Sequence, residues 1–142
     1  MNERPELQQE ARRWVAKAEH DLRNAEYVLG MPRGCPTDTV CFHCQQAAEK
    51  YLKALLISRG IDFPRTHDLV LLRGRAEETG ELTLRLEELQ PLNRYSVEAR
   101  YPGDWEPIEL HEATEALAMA RGVRDAVRAL LPPAALPEGD CS

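Results

Sequence analysis

Apolar residues recur along much of the chain at the three- and four-residue spacing of one face of an α-helix. The first such stretch covers residues 5–29. Its apolar positions fall on one stripe: Ala11, Trp14, Val15, Ala18, Leu22, Ala25 and Leu29. The second runs from 37 to 58 or 59, where Thr37 and Asp38 are good N-caps and Gly60 supplies the stop. Its stripe consists of Cys41, Cys44, Ala48, Tyr51, Leu52 and Leu55.

Three further helices are predicted in the second half of the chain. Thr66 is the expected N-cap of a helix over 67–78, and a short helix over 81–89 is expected to end at Pro91. The last helix is predicted over 108–131. It carries a heptad-like seam of Ala113, Ala116, Ala120, Val123, Val127 and Leu130.

These patterns predict an all-α fold, because no segment alternates for long in the manner of a β-strand. The short connections favour an up-and-down helical bundle of four to five helices, with a long loop over 91–108 before the last helix. Residues 1–131 are expected to form a single domain. Residues 132–142, which begin with two prolines, are expected to be a disordered tail.

Composition narrows the possible settings and partners. The chain has 142 residues, 43% hydrophobic and 30% charged, which is ordinary for a globular domain. It contains neither an apolar run long enough for a bilayer nor an apolar leader, so a cytoplasmic location is expected. Its formal net charge of -6 does not favour polyanions. Any contact with RNA or a nucleotide therefore has to use a local basic surface.

The four cysteines are expected to be free thiols, because disulfides belong mainly to secreted proteins. Cys41, His43 and Cys44, with Cys35 nearby, form the one arrangement that suggests a metal cluster. Structural zinc needs four convergent ligands, and His43 points away from the face that Cys41 and Cys44 share. The cysteines fit better as small apolar residues, so neither a metal nor another cofactor is predicted.

The long loop combines basic and aromatic residues: Arg94, Tyr95, Arg100, Tyr101 and Trp105. In one interpretation the aromatic rings stack on a base while the arginines hold phosphate. In the other the loop is structural, with Arg100 paired to a carboxylate and Tyr101 packed over the bundle. Both interpretations stay open on the sequence alone.

A polar face of the second helix is the next candidate site: Gln45, Gln46, Glu49, Lys50 and Lys53. It either lines a ligand groove or dimer contact, or is a solvated face with one Glu49–Lys53 ion pair. His67, after the expected cap, either faces a bound phosphate at a helix N-terminus or helps to cap its own helix.

The segment FHCQQAAEKYLKALL at 42–56 resembles the central helix of HEPN domains, the nucleotide-binding domains of higher eukaryotes and prokaryotes. Further matching segments occur in the family's order along the chain: Trp14 with Ala18 and Asp21-Leu22, Thr66-His67-Asp68-Leu69, and Ala99-Arg100-Tyr101-Pro102. The resemblance extends over about 10–130.

The resemblance implies a homodimeric helical bundle that is nucleotide- or RNA-associated. It also implies action with a minimal nucleotidyltransferase, as in a toxin–antitoxin-like pair. Two alternatives stay open: a metal-independent ribonuclease with a composite dimer site, and a non-catalytic protein-interaction module. On the first view the ligand contacts are Arg94, Tyr95, Arg100, Tyr101, Gln46, Lys50, Lys53 and His67.

Whether the chain is an enzyme depends on an arginine and a histidine. HEPN ribonucleases carry them a few residues apart near the start of the last helix, with His as general acid or base and Arg stabilising phosphorane charge. Here ten residues separate Arg100 from His111. One formal match to the family's spacing of four to six residues exists, between Arg13 and His20 in the first helix, with six residues between them. Arg100 and His111 are the remaining catalytic candidates, and we expect binding without robust cleavage.

Overall fold

The computed structural model describes residues 4–96 and 107–137, and within these ranges every regular element is a helix. The elements are α1 (Pro5–Leu29), α2 (Thr37–Ser58), α3 (Leu69–Glu77), α4 (Leu86–Asn93), α5 (Leu110–Arg128) and a short 3-10 helix (Pro133–Ala135). The predicted all-α bundle is confirmed. No helix in these ranges is long and apolar enough to cross a membrane.

The antiparallel pair of α1 and α2 forms the centre of the bundle. At one end Gln8 Nε2 donates to the Ser58 carbonyl at 3.1 Å, and Ser58 Oγ donates back to Gln8 Oε1 at 2.7 Å. The small and branched residues of the predicted α1 stripe are buried against α2: Ala11, Val15, Ala18, Leu22 and Ala25. Gly60, at φ 72°, ends α2 as predicted, since a left-handed backbone there favours glycine.

The start of α3 differs from the prediction. Asp68, not Thr66, is the N-cap, and its carboxylate accepts from the backbone N–H groups of Val70 and Leu71. Thr66 Oγ1 instead accepts from the Asp68 N–H at 3.0 Å. Both residue types make good caps, and Asp68 prevails because it directly precedes the first helical turn.

The short helix α4 lies further along the chain than predicted, and Pro91 is inside it. The expectation that Pro91 ends this helix was wrong. Leu89 and Leu92, on either side of the proline, are fully buried. We attribute the continued helix to this packing, which offsets the one backbone hydrogen bond that a proline removes.

Helix α5 packs through five of its six predicted seam positions: Ala113, Ala116, Ala120, Val123 and Val127 are buried. Leu130 is 39% exposed, so its place in the seam was wrong. The helix ends at Arg128, and after that end Leu131 turns inward instead.

The segment expected to be a disordered tail is ordered in its first part. Pro133–Ala135 forms the 3-10 helix, and Ala135 is completely buried where this helix packs against α1. The apolar side chain at Ala135 explains the docking, since burying it removes apolar surface from water. Residues 138–142 lie outside the described residues.

Candidate functional site

A buried polar network occupies the α2 face that includes Gln45, Glu49 and Lys53. These residues are 0%, 3% and 6% exposed, so the solvated-face interpretation is wrong. Glu49 Oε2 accepts from Lys53 Nζ at 2.9 Å, and Glu49 Oε1 lies 2.9 Å from His67 Nδ1. The segment before α3 covers this face, where Gln45 Nε2 donates to the His67 carbonyl at 2.9 Å.

Lys53 is enclosed rather than presented to a ligand. Its ammonium lies 5.6 Å from the ring centroid of Trp14 and 5.7 Å from that of Phe63. With Glu49 as the paired carboxylate, both the charge and the ring contacts of Lys53 are used inside the protein. Lys53 therefore links Glu49 to the rings of Trp14 and Phe63 inside the bundle.

The predicted ligand residues Gln46 and His67 meet around Glu49. Gln46 Nε2 donates to Gln45 Oε1 at 2.8 Å and lies 3.4 Å from Glu49 Oε1. His67 neither caps α3, where Asp68 has that role, nor points away from the bundle. It pairs with the buried carboxylate, which neither sequence interpretation anticipated.

A second polar cluster joins α1 to α2 and was missed in the sequence. Asp21, 8% exposed, approaches His43 Nδ1 with Oδ1 at 2.7 Å. Its Oδ2 accepts from Lys50 Nζ at 2.6 Å. His43 and Lys50 lie seven residues apart on α2, which is two helical turns, and that spacing was the available signal. The predicted residue Lys50 is therefore bound to a carboxylate of another helix.

Next to this cluster, α1 and α2 border a pocket of about 410 Å³. Its lining comprises Glu10, Arg13, Trp14, Lys17 and Lys50. Arg13 Nη1 pairs with Glu10 at 2.6 Å, and Trp14 Nε1 donates to the same carboxylate at 3.3 Å. Lys17 is exposed. The lining thus combines three cations, one carboxylate and an indole ring.

The predicted loop site is only partly visible. Arg94 is exposed and lies 5.6 Å from the ring centroid of Tyr95, whereas Tyr95 is buried and its hydroxyl donates to Glu112 on α5. Burial, together with that hydrogen bond, raises the pKa of Tyr95. Tyr95 thus faces α5 rather than the α1–α2 pocket. Arg100 and Tyr101 lie outside the described residues.

The remaining candidates are placed as follows. His111 is exposed in the first turn of α5. Cys41 and Cys44 are fully buried in the core, and burial raises the pKa of the Cys44 thiol to about 12. Within residues 4–96 and 107–137, no three His, Cys, Asp or Glu side chains converge as they would around a metal ion.

Comparison with known proteins identifies the family. The model of the HEPN domain matches residues 11–130, which is most of the chain. The chain belongs to the HEPN family. No curated protein matched it at a significant level.

Two solved structures resemble this HEPN domain. TT1696 from Thermus thermophilus is 29% identical, with a TM-score of 0.71, over 92% of this chain and 100% of that one. ST0689, described as an archaeal HEPN homologue, is 26% identical, with a TM-score of 0.66, over 86% of this chain and 98% of that one. The bundle is therefore shared over nearly its whole length.

The HEPN signature segment on α2 contributes to two polar clusters that differ in burial. Gln45, Glu49 and Lys53 lie inside the bundle, where they fix the start of α3 and the ring of Trp14. Lys50 belongs to the half-buried cluster with Asp21 and lines the pocket. The signature segment thus contributes to the pocket in two ways: Lys53 packs against the ring of Trp14, which lines the pocket, and Lys50 is one of the pocket's cations.

Proposed function

We propose that this HEPN protein is a nucleotide- or RNA-associated subunit that acts in the cytoplasm with a minimal nucleotidyltransferase, as in a toxin–antitoxin-like pair. The pocket between α1 and α2 is the observation that supports binding. Trp14 offers an aromatic surface for a base, and Arg13, Lys17 and Lys50 offer positive charge for phosphate.

The charge of the pocket stands out against the rest of the chain. With a net charge of -6, the protein as a whole repels polyanions. In the pocket Arg13 is paired with Glu10 and Lys50 with Asp21, so Lys17 supplies the local excess of positive charge. Lysines and arginines that contact phosphate form charge-assisted hydrogen bonds, which are stronger than neutral ones. This is the chemistry that a nucleotide or an RNA phosphate requires.

A matched pair of charge reversals tests the pocket. Lys17→Glu changes a pocket residue, while Arg23→Glu makes the same charge change at another exposed position of α1. Loss of one charge-assisted contact of about 2 kcal/mol corresponds to a loss of roughly thirtyfold in affinity. Fluorescence titrations with ATP, GTP and a short RNA should show that loss for Lys17→Glu only. Equal affinities in both variants would place binding elsewhere.

The partners need separate measurements. Co-expression with a minimal nucleotidyltransferase should yield a stable complex, and sedimentation at micromolar concentration should yield a homodimer. The polar face of α2 was the expected dimer contact, but Gln45, Glu49 and Lys53 cannot form it because they are buried within one chain. Exposed surface beside them has to supply that contact. A monomer in sedimentation would remove the dimer from the proposal.

The two alternatives give distinct results in the same experiments. A ribonuclease that uses the residues expected from the family would lose cleavage in Arg100→Ala and His111→Ala. A non-catalytic interaction module would capture the nucleotidyltransferase yet bind neither nucleotide nor RNA. Our proposal predicts that the protein captures the nucleotidyltransferase and also binds nucleotide or RNA.

A further inference from the structure

The cluster of Asp21, His43 and Lys50 has the geometry of an oriented proton acceptor. Lys50 Nζ lies 2.6 Å from one oxygen of the Asp21 carboxylate and balances its charge. The Nδ1–H of His43 can donate to the other carboxylate oxygen, which lies 2.7 Å away. This hydrogen bond fixes the tautomer and leaves the lone pair on Nε2.

Nε2 of His43 is available for chemistry. No hydrogen bond joins it to any residue in the described part of the chain, and the side chain is 27% exposed. The ring of Phe42 packs edge-on against the imidazole, with centroids 5.3 Å apart, and limits its rotation. An oriented imidazole with one free nitrogen at the surface meets the geometric requirement for a general base.

The cluster shares one residue, Lys50, with the cationic pocket. Lys50 bonds to Asp21 and also lines the pocket with Lys17 and Trp14. A volume of about 410 Å³ lies within the range of small-molecule sites, roughly 300–1,000 Å³. Lys50 therefore connects the pocket, where a base can stack on Trp14, with the Asp21–His43 pair.

We propose that this groove hydrolyses the terminal phosphoanhydride of a bound nucleoside triphosphate, with His43 as general base and Asp21 as its positioning residue. The idea rests on the proposed nucleotide binding. A water oxygen forms a bond to the terminal phosphorus as the bond from phosphorus to the bridging oxygen breaks. The electron pair leaves with the nucleoside diphosphate, and the proton of the water goes to Nε2 of His43.

The leaving group favours an anhydride over an RNA chain. A nucleoside diphosphate departs as a stable anion, so one base is sufficient. Cleavage of RNA by its own hydroxyl expels an alkoxide, which needs a second group as proton donor. Among the described residues one histidine, His43, contacts the Asp21 carboxylate, and Lys50 is held by the same carboxylate. Lys17, the exposed cation of the pocket lining, balances the negative charge that builds up in the transition state.

Hydrolysis of ATP and GTP by the full chain, measured as phosphate release with and without magnesium, tests the proposal. In His43→Gln the new amide can still donate to Asp21 but cannot take a proton. Its kcat should fall by about a hundredfold, with KM nearly unchanged. His20→Gln makes the same change at an exposed histidine of α1 and should keep the wild-type rate. Both proteins should melt like wild type.

Asp21 is tested through the split between kcat and KM. Asp21→Asn should lower kcat more than it raises KM, and Asp21→Glu, which retains a carboxylate, should recover part of the loss. An Asp21→Asn protein with wild-type kcat would overturn the positioning role.

The remaining outcomes separate this idea from the proposed function. Nucleotide binding without phosphate release, or equal release by wild type and His43→Gln, overturns the hydrolysis and leaves the binding proposal intact. Absence of nucleotide binding overturns both. Cleavage of RNA that requires His43, without release of phosphate from ATP or GTP, overturns the assignment of the anhydride substrate.

Discussion

Replacement of Glu49 by alanine is expected to destabilise the bundle by about 3 kcal/mol, since it leaves the ammonium of Lys53 buried without its carboxylate. The two side chains are 3% and 8% exposed and 2.9 Å apart. Removing one partner of a buried pair typically costs about 3–5 kcal/mol. The lower end applies because Trp14 and Phe63 still lie within 5.7 Å of the ammonium and attract it.

Thermal unfolding followed by circular dichroism measures this loss. For a chain of this length each kcal/mol corresponds to roughly 2–4 °C, so the melting temperature should fall by about 6–12 °C. The total stability of such domains, about 5–15 kcal/mol, leaves the variant folded at room temperature. Urea titrations of the same variant give the free energy of unfolding independently.

A matched pair on α3 separates burial from charge pairing. Arg73 and Glu77 have the same i,i+4 spacing at 3.0 Å, but the Glu77 side chain is 44% exposed. Glu77→Ala should therefore cost less than about 1 kcal/mol. The double variant Glu49→Ala/Lys53→Met should regain part of the loss, because it removes the stranded charge. If Glu49→Ala melts like Glu77→Ala, the burial argument is refuted.

Three further predictions, with five substitutions in all, concern the core and one helix end. Burial raises the pKa of the Cys44 thiol from its ordinary 9.0 to about 12, so this thiol ionises at lower pH in the unfolded chain than in the folded one. The contribution of Cys44 to the free energy of unfolding is therefore fully present below pH 9 and is lost between about pH 9 and 12. Urea titrations of Cys44→Ala should show a shallower alkaline loss. Val123 is buried and Leu130 is 39% exposed, so Val123→Asp should lower the free energy of unfolding by more than about 3 kcal/mol and Leu130→Asp by less than about 1 kcal/mol. Equal melting temperatures for the two variants would contradict the burial of Val123 in the α5 seam. Asp68→Ala should cost about 1 kcal/mol and Thr66→Ala less, as calorimetry can check.

The long helices were predictable because their apolar stripes repeat over many turns. Both α1 and α2 have the bounds that the pattern indicated, with Gly60 as the stop of the second. Short helices carry too few repeats to fix a register. For α3, two neighbouring residues were both suitable caps, and for α4 the packing of leucines on both sides outweighed the stop signal of Pro91.

The contacts of the candidate site were predictable from the sequence only where both partners lie on the same helix. The spacing of Glu49 and Lys53 implied their ion pair, and the pair is present. Its burial depends on the segment around His67, which the sequence places 18 residues after Glu49. Periodicity along one helix carries no information on which segment from elsewhere in the chain will cover that helix. The bond of Lys50 to Asp21 spans 29 residues and escaped prediction for the same reason.

The two polar clusters on α2 differ in burial and in the hydrogen-bonding groups that they leave unused. Glu49 and Lys53 are paired with each other and shut off from water, so a ligand cannot reach them without opening the bundle. In the outer cluster Lys50 satisfies the charge of Asp21, while His43 keeps one ring nitrogen at the surface. An inner network that fixes the helices and an outer one with spare bonding capacity together form a rigid support for a reactive group. The general base that we propose, His43, belongs to this outer cluster, where Asp21 links it to Lys50.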